Sequence, residues 1–314
     1  MRWAVGDWER VAFLGGGVPY TWKQVATEAQ RAGTWAPLSR RMAATRAALD
    51  GARRAGLSLS QERIREAEAT WRYARRLVAA EELEAWLRAR EVTVAEWREW
   101  LRGDLAVSTW PELAEALASL VDEIDDASWV AGWCSGAIEQ FARDFAGRVA
   151  ARLHLLARGV DLPLDDAFER FRMEAATEEA ISSAISANQL EWLAIEGDWL
   201  SFADEDAASE GLALIRDDGL SIEALGHTVG AAPERRRVMV EDVPVDVRQR
   251  FLSAQPGDHL GPIPAHDGMA IVAVHAKLLP SPDDEAVRQR ATATIIARAV
   301  DRAIEEQVRW VEPF

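Results

Sequence analysis

The sequence predicts a mostly helical α+β protein: a large helical lobe, a small α/β domain, and a long helix that returns to cover the lobe. Three observations predict it. Apolar residues recur at helical spacing through most of residues 57–185. After Ala187 the texture changes to short apolar runs separated by helical stretches. From Ser281 a single apolar stripe runs almost to the end of the chain. A length of 314 residues suits two domains, or one domain carrying an insertion.

The chain opens with RVAFL, a short apolar strand, followed by Gly15-Gly16-Gly17, which permits a tight reversal because glycine tolerates positive φ. A phosphate-binding loop would need a Gly-Lys-Ser/Thr ending, which is missing. Thr21-Trp22-Lys23-Gln24 fits a capping box, with Trp22, Val25 and Ala29 on the buried face of the helix it starts. Ser60 caps a helix carrying Ile64, Ala67, Trp71, Ala74 and Val78. The next helix carries Leu83, Trp86 and Leu87, and Thr93 caps a third with Trp97, Trp100 and Leu101. Helix is expected from Trp110 to Leu156, interrupted around Asp125 to Ser128, and again from Asp165 to Ile185.

Leu190 to Ile195 reads as a strand, and Asp204 to Ile215 as a helix ended by Asp217-Asp218-Gly219. A short helix follows from Leu220. Arg237 to Val240 is extended, and Val243 to Ala254 is a helix opened by Pro244. Pro256-Gly257-Asp258 is a turn, Gly261-Pro262-Ile263 an edge strand, and Met269 to Val274 the last strand of the domain. Ser281-Pro282-Asp283-Asp284 starts the final helix, with Val287, Ala291, Ile295, Ala299, Ile304 and Val308 on one face, running to about Trp310. The expected domains are residues 1–185, 186–280 and the returning helix 281–314.

Composition narrows the function. A net charge of −16 argues against a nucleic-acid partner, since phosphate contacts need basic surface. Residues 1–100 carry +4 and the remaining 214 carry −20, so the acidic part can steer a charged partner, although solvated helix faces account for most such charge. Cys134 is the single cysteine, so no internal disulfide forms. The start of the chain has no signal-peptide pattern and no run is long and apolar enough for a membrane span, which gives a cytoplasmic expectation. Eleven of the 14 tryptophans precede residue 134. At helical spacing most of them read as core, while Trp100 and Trp110 at helix ends suit either packing or the grip of an apolar client.

The stretch PVDVRQRFLSAQPGDHLGPIPAHDGMAIVAV, with ALIRDDGLSIEALG before it, resembles the C-terminal half of a parvulin-type prolyl isomerase domain. RVAFLGGGVPYTWKQV resembles the opening of SurA/PpiC-type chaperones, in which a hairpin and helix begin a helical domain and a C-terminal helix completes it. Residues 105–185 match neither. The resemblance implies a SurA-like helical lobe, a parvulin-like domain, and a peptide or unfolded protein segment as partner.

Departures from the family matter more than the match. The resemblance calls for a histidine on the first strand, where Trp192-Leu193-Ala194-Ile195 stands, and for another on the last strand, where Ala270 stands. It calls for an acid or cysteine where Gly226-His227-Thr228-Val229-Gly230 is the nearest stretch. What remains is an apolar wall, expected to comprise Phe251, Leu252, Ile263 and Met269, that binds peptide without catalysis. His227 is the one histidine near the expected site. His259 and His266 read as exposed, and His275 alternates onto the other face from Ala270. His154 reads as packing, with no metal-ligand spacing around it. No cofactor fingerprint and no hydrolase or zinc motif appears, and Cys134 reads as a buried small residue.

Three functions follow as expectations. The first is a peptide-binding, chaperone-like protein with an inactive parvulin-like domain, serving peptide maturation by analogy with degenerate relatives. The second is an active isomerase with a rearranged site built on His227. The third is a structural adaptor for a modifying enzyme.

Overall fold

The computed structural model describes residues 7–114, 124–265 and 268–311. His266 and the part of the expected helix across residues 115–123 lie outside them. In chain order the elements are β1 (Val11–Gly15), β2 (Val18–Thr21), α1 (Trp22–Arg31), α2 (Ala36–Arg54), α3 (Gln61–Ala74), α4 (Ala80–Ala89), α5 (Val94–Thr109), α6 (Pro111–Ala114), α7 (Asp126–Ser135), α8 (Ala137–Leu156), α9 (Leu164–Ala175) and α10 (Glu178–Ala187). Then come β3 (Ala194–Phe202), α11 (Glu205–Asp218), α12 (Ile222–Val229), β4 (Glu234–Met239), α13 (Arg248–Ser253), β5 (His259–Ala265), β6 (Gly268–Leu278), α14 (Glu285–Gln307) and β7 (Val308–Trp310). The fold is mostly helical α+β, as the sequence predicts. No helix among the described residues is long and apolar enough to cross a membrane.

Two compact units share the chain: residues 1–171 with 300–314, and residues 172–299. In the first, β1 and β2 form a hairpin whose two turn residues, Gly16 and Gly17, both hold positive φ. Thr21 and Gln24 close the capping box at α1, and Ser60 and Thr93 cap α3 and α5 through their hydroxyls. The core of this unit is aromatic. Trp22, Trp129 and Trp133 pack edge to face with centroids 4.9–6.2 Å apart, and Trp71 packs the same way on Trp86. Trp22, Trp35, Trp71, Trp97, Trp129 and Trp133 are all buried, in keeping with tryptophans that mostly read as core; helical spacing places Trp22, Trp71 and Trp97 among them.

The second unit is built on an antiparallel sheet of order β4-β3-β6-β5. One face packs on α13 through Val247 and Phe251, and the other on α11 and α12 through Leu212, Ile215, Ile222 and Leu225. Period-two alternation along β6 divides it: Ala270, Val272 and Val274 face α13, and Ile271 and Ala273 face the other helices. A β-bulge interrupts β3 and β6: Gly197 pairs with Val274 and Glu196 with Ala276, leaving His275 with no residue opposite.

Several boundaries differ from expectation. β3 begins at Ala194 and continues past the charges Glu196 and Asp198, because both reach Arg235 on the neighbouring strand. Leu190 is exposed and lies before the strand. Pro244 opens a turn rather than a helix, and α13 spans only Arg248–Ser253. At the last helix Asp284, not Ser281, accepts the backbone N–H groups of Ala286 and Val287, so α14 starts at Glu285. The chain leaves helix at Val308, where a branched and an aromatic residue suit a strand, and β7 pairs with β1. On α14, Val287 and Ala291 pack with Ile181, Ile185 and Trp192 of the second unit, and Ile304 packs on the core of the first.

The bulge depends on Gly197, since a Cβ there would run into the carbonyl oxygen of Ala273. Gly197→Ala is expected to lower stability by about 1–3 kcal/mol, read as a lower urea midpoint with an unchanged m-value.

Candidate functional site

Two regions compete as sites. The first is the α13 face of the four-stranded sheet, where the family resemblance calls for histidines. Ala270 is 2% exposed there and packs among Ile195, Trp199, Phe251, Ile263 and Val272. Phe251 and Ile263 are buried, and Leu252 is half-buried against the same cluster. Met269 packs on the opposite face with Leu200 and Leu212, so the sheet brings three of the four expected wall residues together and holds the fourth apart. Trp199 stacks on Phe251 with centroids 6.1 Å apart, and its indole N–H has no hydrogen-bond partner among the described residues. Among the described residues the buried core of this face holds no imidazole, carboxylate or thiol.

His227 lies exposed on the last turn of α12. Its Nδ1 is 2.7 Å from the carbonyl oxygen of Glu223, so Nδ1 carries the proton and donates it. Ile222 and Leu225 of that helix pack with Ile271, which sets His227 on the other side of the sheet from Ala270. His154 packs edge-on against Phe171 at 5.4 Å. Cys134 is fully buried, and desolvation pushes its thiol far above the usual range despite the nearby Arg75.

The second region is a cavity of about 610 Å³ inside the first unit. Helices α2, α5 and α7 frame it. Leu38, Met42 and Leu49 of α2 form one wall, Trp100 of α5 another, and Val130 of α7 the floor. Trp100 is half-buried, with one side in the core and one toward the cavity. At the rim Arg41 donates through Nε to Asp104 at 2.8 Å, Glu99 faces Arg102 at 3.5 Å, and Arg46 is exposed; the walls between them are mostly apolar. A volume of this size lies within the roughly 300–1,000 Å³ typical of ligand pockets. Sequence reasoning flagged Trp100 but missed the rest. The available signal was Leu38, Met42, Thr45 and Leu49, spaced 4, 3 and 4 apart along α2, a stripe distinct from Ala43, Ala47 and Ala48, which pack inward.

No family model and no curated protein matches the sequence. Solved structures are similar over nearly the whole chain at low identity. The foldase protein PrsA of Streptococcus pneumoniae is 11% identical, with 95% of this chain and 93% of that one covered and a TM-score of 0.30. PrsA of Bacillus subtilis is 13% identical, with 96% and 92% covered and a TM-score of 0.25. A structure of the SurA-like chaperones PEB4 and Cj1289 of Campylobacter jejuni is 9% identical, with 96% and 99% covered and a TM-score of 0.22.

Burial of Cys134 has a direct readout. In the native protein it is expected to resist a thiol reagent such as DTNB, and to react stoichiometrically once unfolded in guanidinium; rapid labelling of the native state would contradict its placement.

Proposed function

We propose that this protein holds apolar segments of a peptide or unfolded protein in the cavity between α2, α5 and α7, and that its sheet domain performs no prolyl isomerisation. The cavity carries the reading. Its walls are Leu38, Met42, Leu49, Trp100 and Val130, of which Leu38 and Val130 belong to the core of the first unit and Met42 and Trp100 pack against it. An apolar, preformed cavity of that kind gains from burying a client side chain at about 25 cal/mol per Å². Isomerisation has a barrier of about 18–20 kcal/mol, and lowering it requires polar groups aimed at the twisted amide. Among the described residues Ala270 stands in packed hydrocarbon, and the charged side chains that reach the α13 side, Arg250 and Lys277, are engaged by backbone carbonyls. This supports binding without turnover.

Two measurements test the two halves of the reading. A protease-free isomerisation assay on Xaa-Pro peptides is expected to stay at the uncatalysed rate; turnover abolished by His227→Ala would mean an enzyme with a relocated histidine. Binding of an unfolded, apolar peptide is expected to change the fluorescence of Trp100, shown by its loss in Trp100→Phe. Leu49→Asp, which sets a carboxylate in the apolar wall, is expected to weaken that binding by about tenfold or more. Undiminished affinity in a folded Leu49→Asp protein would place the client elsewhere.

A further inference from the structure

The second unit has a cavity of its own, of about 490 Å³, on the sheet face away from α13. It opens between the Gly219–Ser221 loop, the start of α12, the turn at Gly257 and strand β6. Ala273 lines it, with Ile215 and Leu220 as apolar neighbours and His259, His275 and Glu223 as its polar groups. No lysine or arginine lines it.

The backbone aims these groups. His259 pairs with Ala273 across the strands, so His259 and His275 stand on one face with the smallest of β6's side chains between them. His275 is the residue left without a partner by the bulge, and it lines the cavity on the same face as Ala273. Its Nε2 lies 2.6 Å from Oδ2 of Asp198. An ionised carboxylate only accepts, so Nε2 carries the proton and, in the neutral ring, Nδ1 is left with a lone pair. Glu223 is held ionised by its own backbone N–H and by the Ser221 hydroxyl. It has no lysine or arginine within ion-pair distance among the described residues. Asp198, by contrast, is shared between His275 and Arg235. No three of these groups converge closely enough for a metal ion among the described residues.

The cavity therefore presents two acceptors, the Glu223 carboxylate and Nδ1 of the neutral His275 ring, above an apolar floor; its Ser221 hydroxyl is turned to Glu223, and the neighbouring Arg216 is turned to the His259 carbonyl at 3.5 Å. We infer that it is a binding site for a primary ammonium on an aliphatic stem, in the form of a lysine side chain on a peptide. An ammonium brings three donors and no acceptor, and its methylenes pack on Ile215, Leu220 and Ala273. The surrounding unit favours the same charge, because residues 172–299 hold 22 acidic and 11 basic side chains. The site stands on this unit's residues alone and does not depend on the helical cavity being the client site.

The test uses the full-length protein and three probes: the N-acetyl methylamides of lysine, norleucine and glutamate. NMR titration at neutral pH follows the imidazole signals of His259 and His275. The lysine probe is expected to shift both and saturate, and to bind about tenfold or more tightly than norleucine, less so at high salt. Glu223→Gln, an exposed position whose loss leaves the core intact, is expected to weaken the lysine probe by about tenfold. Asp198→Ala is expected to weaken it as well, because Nε2 then loses the acceptor that fixes its proton. Three results overturn the inference: norleucine binding as well as lysine, His275 unmoved up to about 10 mM lysine probe, or unchanged affinity in folded Glu223→Gln.

Discussion

Burial of α7 on nearly all sides is the constraint around which the first unit is arranged. Seven of its ten residues are buried, including Trp129, Trp133 and Cys134. A helix in that position cannot leave its ends to water, and each end is served by specific groups. At the start, Asp125 and Ser128 cap one another, with the Ser128 N–H donating to Asp125 at 2.8 Å. At the end, the Cys134 carbonyl accepts from the Trp71 indole at 2.9 Å and from Arg75 at 2.7 Å. Trp129 returns the service by donating to the Arg90 carbonyl at 2.7 Å. Arg90 itself is buried, its guanidinium 4.1 Å from the centroid of Trp86 and 4.9 Å from that of Trp133, with Glu139 at 3.3 Å. A buried carbonyl left without a partner costs about 1–3 kcal/mol, so these tryptophans act as hydrogen-bond donors as well as bulk. The same helix offers Val130 and Ala131 to the cavity. Its rigidity therefore passes directly to the site.

The sheet of the second unit shows how one backbone holds two opposite chemistries. Side chains alternate along β6, and the α13 face takes Ala270, Val272 and Val274 into a close-packed core. On the other face small residues, Ala273 and the two turn glycines, leave space beside polar groups. Around Ala270 the first face leaves neither space nor buried polar groups, whereas the second has both, with His259, His275 and Glu223 beside the cavity.

Local signals made much of this legible. Thr21, Ser60 and Thr93 cap helices because their hydroxyls meet orphan N–H groups three residues on, a relation contained within four residues of sequence. The alternation that set Ala270 and His275 on opposite faces is likewise local, and it holds. Relations between distant residues were not legible. Glu196 and Asp198 looked like the end of a strand because their partner, Arg235, is about 40 residues away. The bulge that releases His275 exists only as a register between two strands. The helical cavity was missed for a similar reason: the stripe on α2 reads as one more buried face until α5 and α7 are seen to stop short of it.

The pairing of β7 with β1 has a consequence for how the polypeptide is made. Phe13 lies opposite Trp310, so β1 waits for a partner made about 300 residues later. During translation the leading helices emerge with one sheet edge unsatisfied, while the intervening unit, whose contacts lie within residues 172–299, can fold as soon as it clears the ribosome. Completion of the first unit thus comes after the second unit has already been made. A product that stopped between residues 300 and 307 would keep its second unit and lose the strand that closes the first.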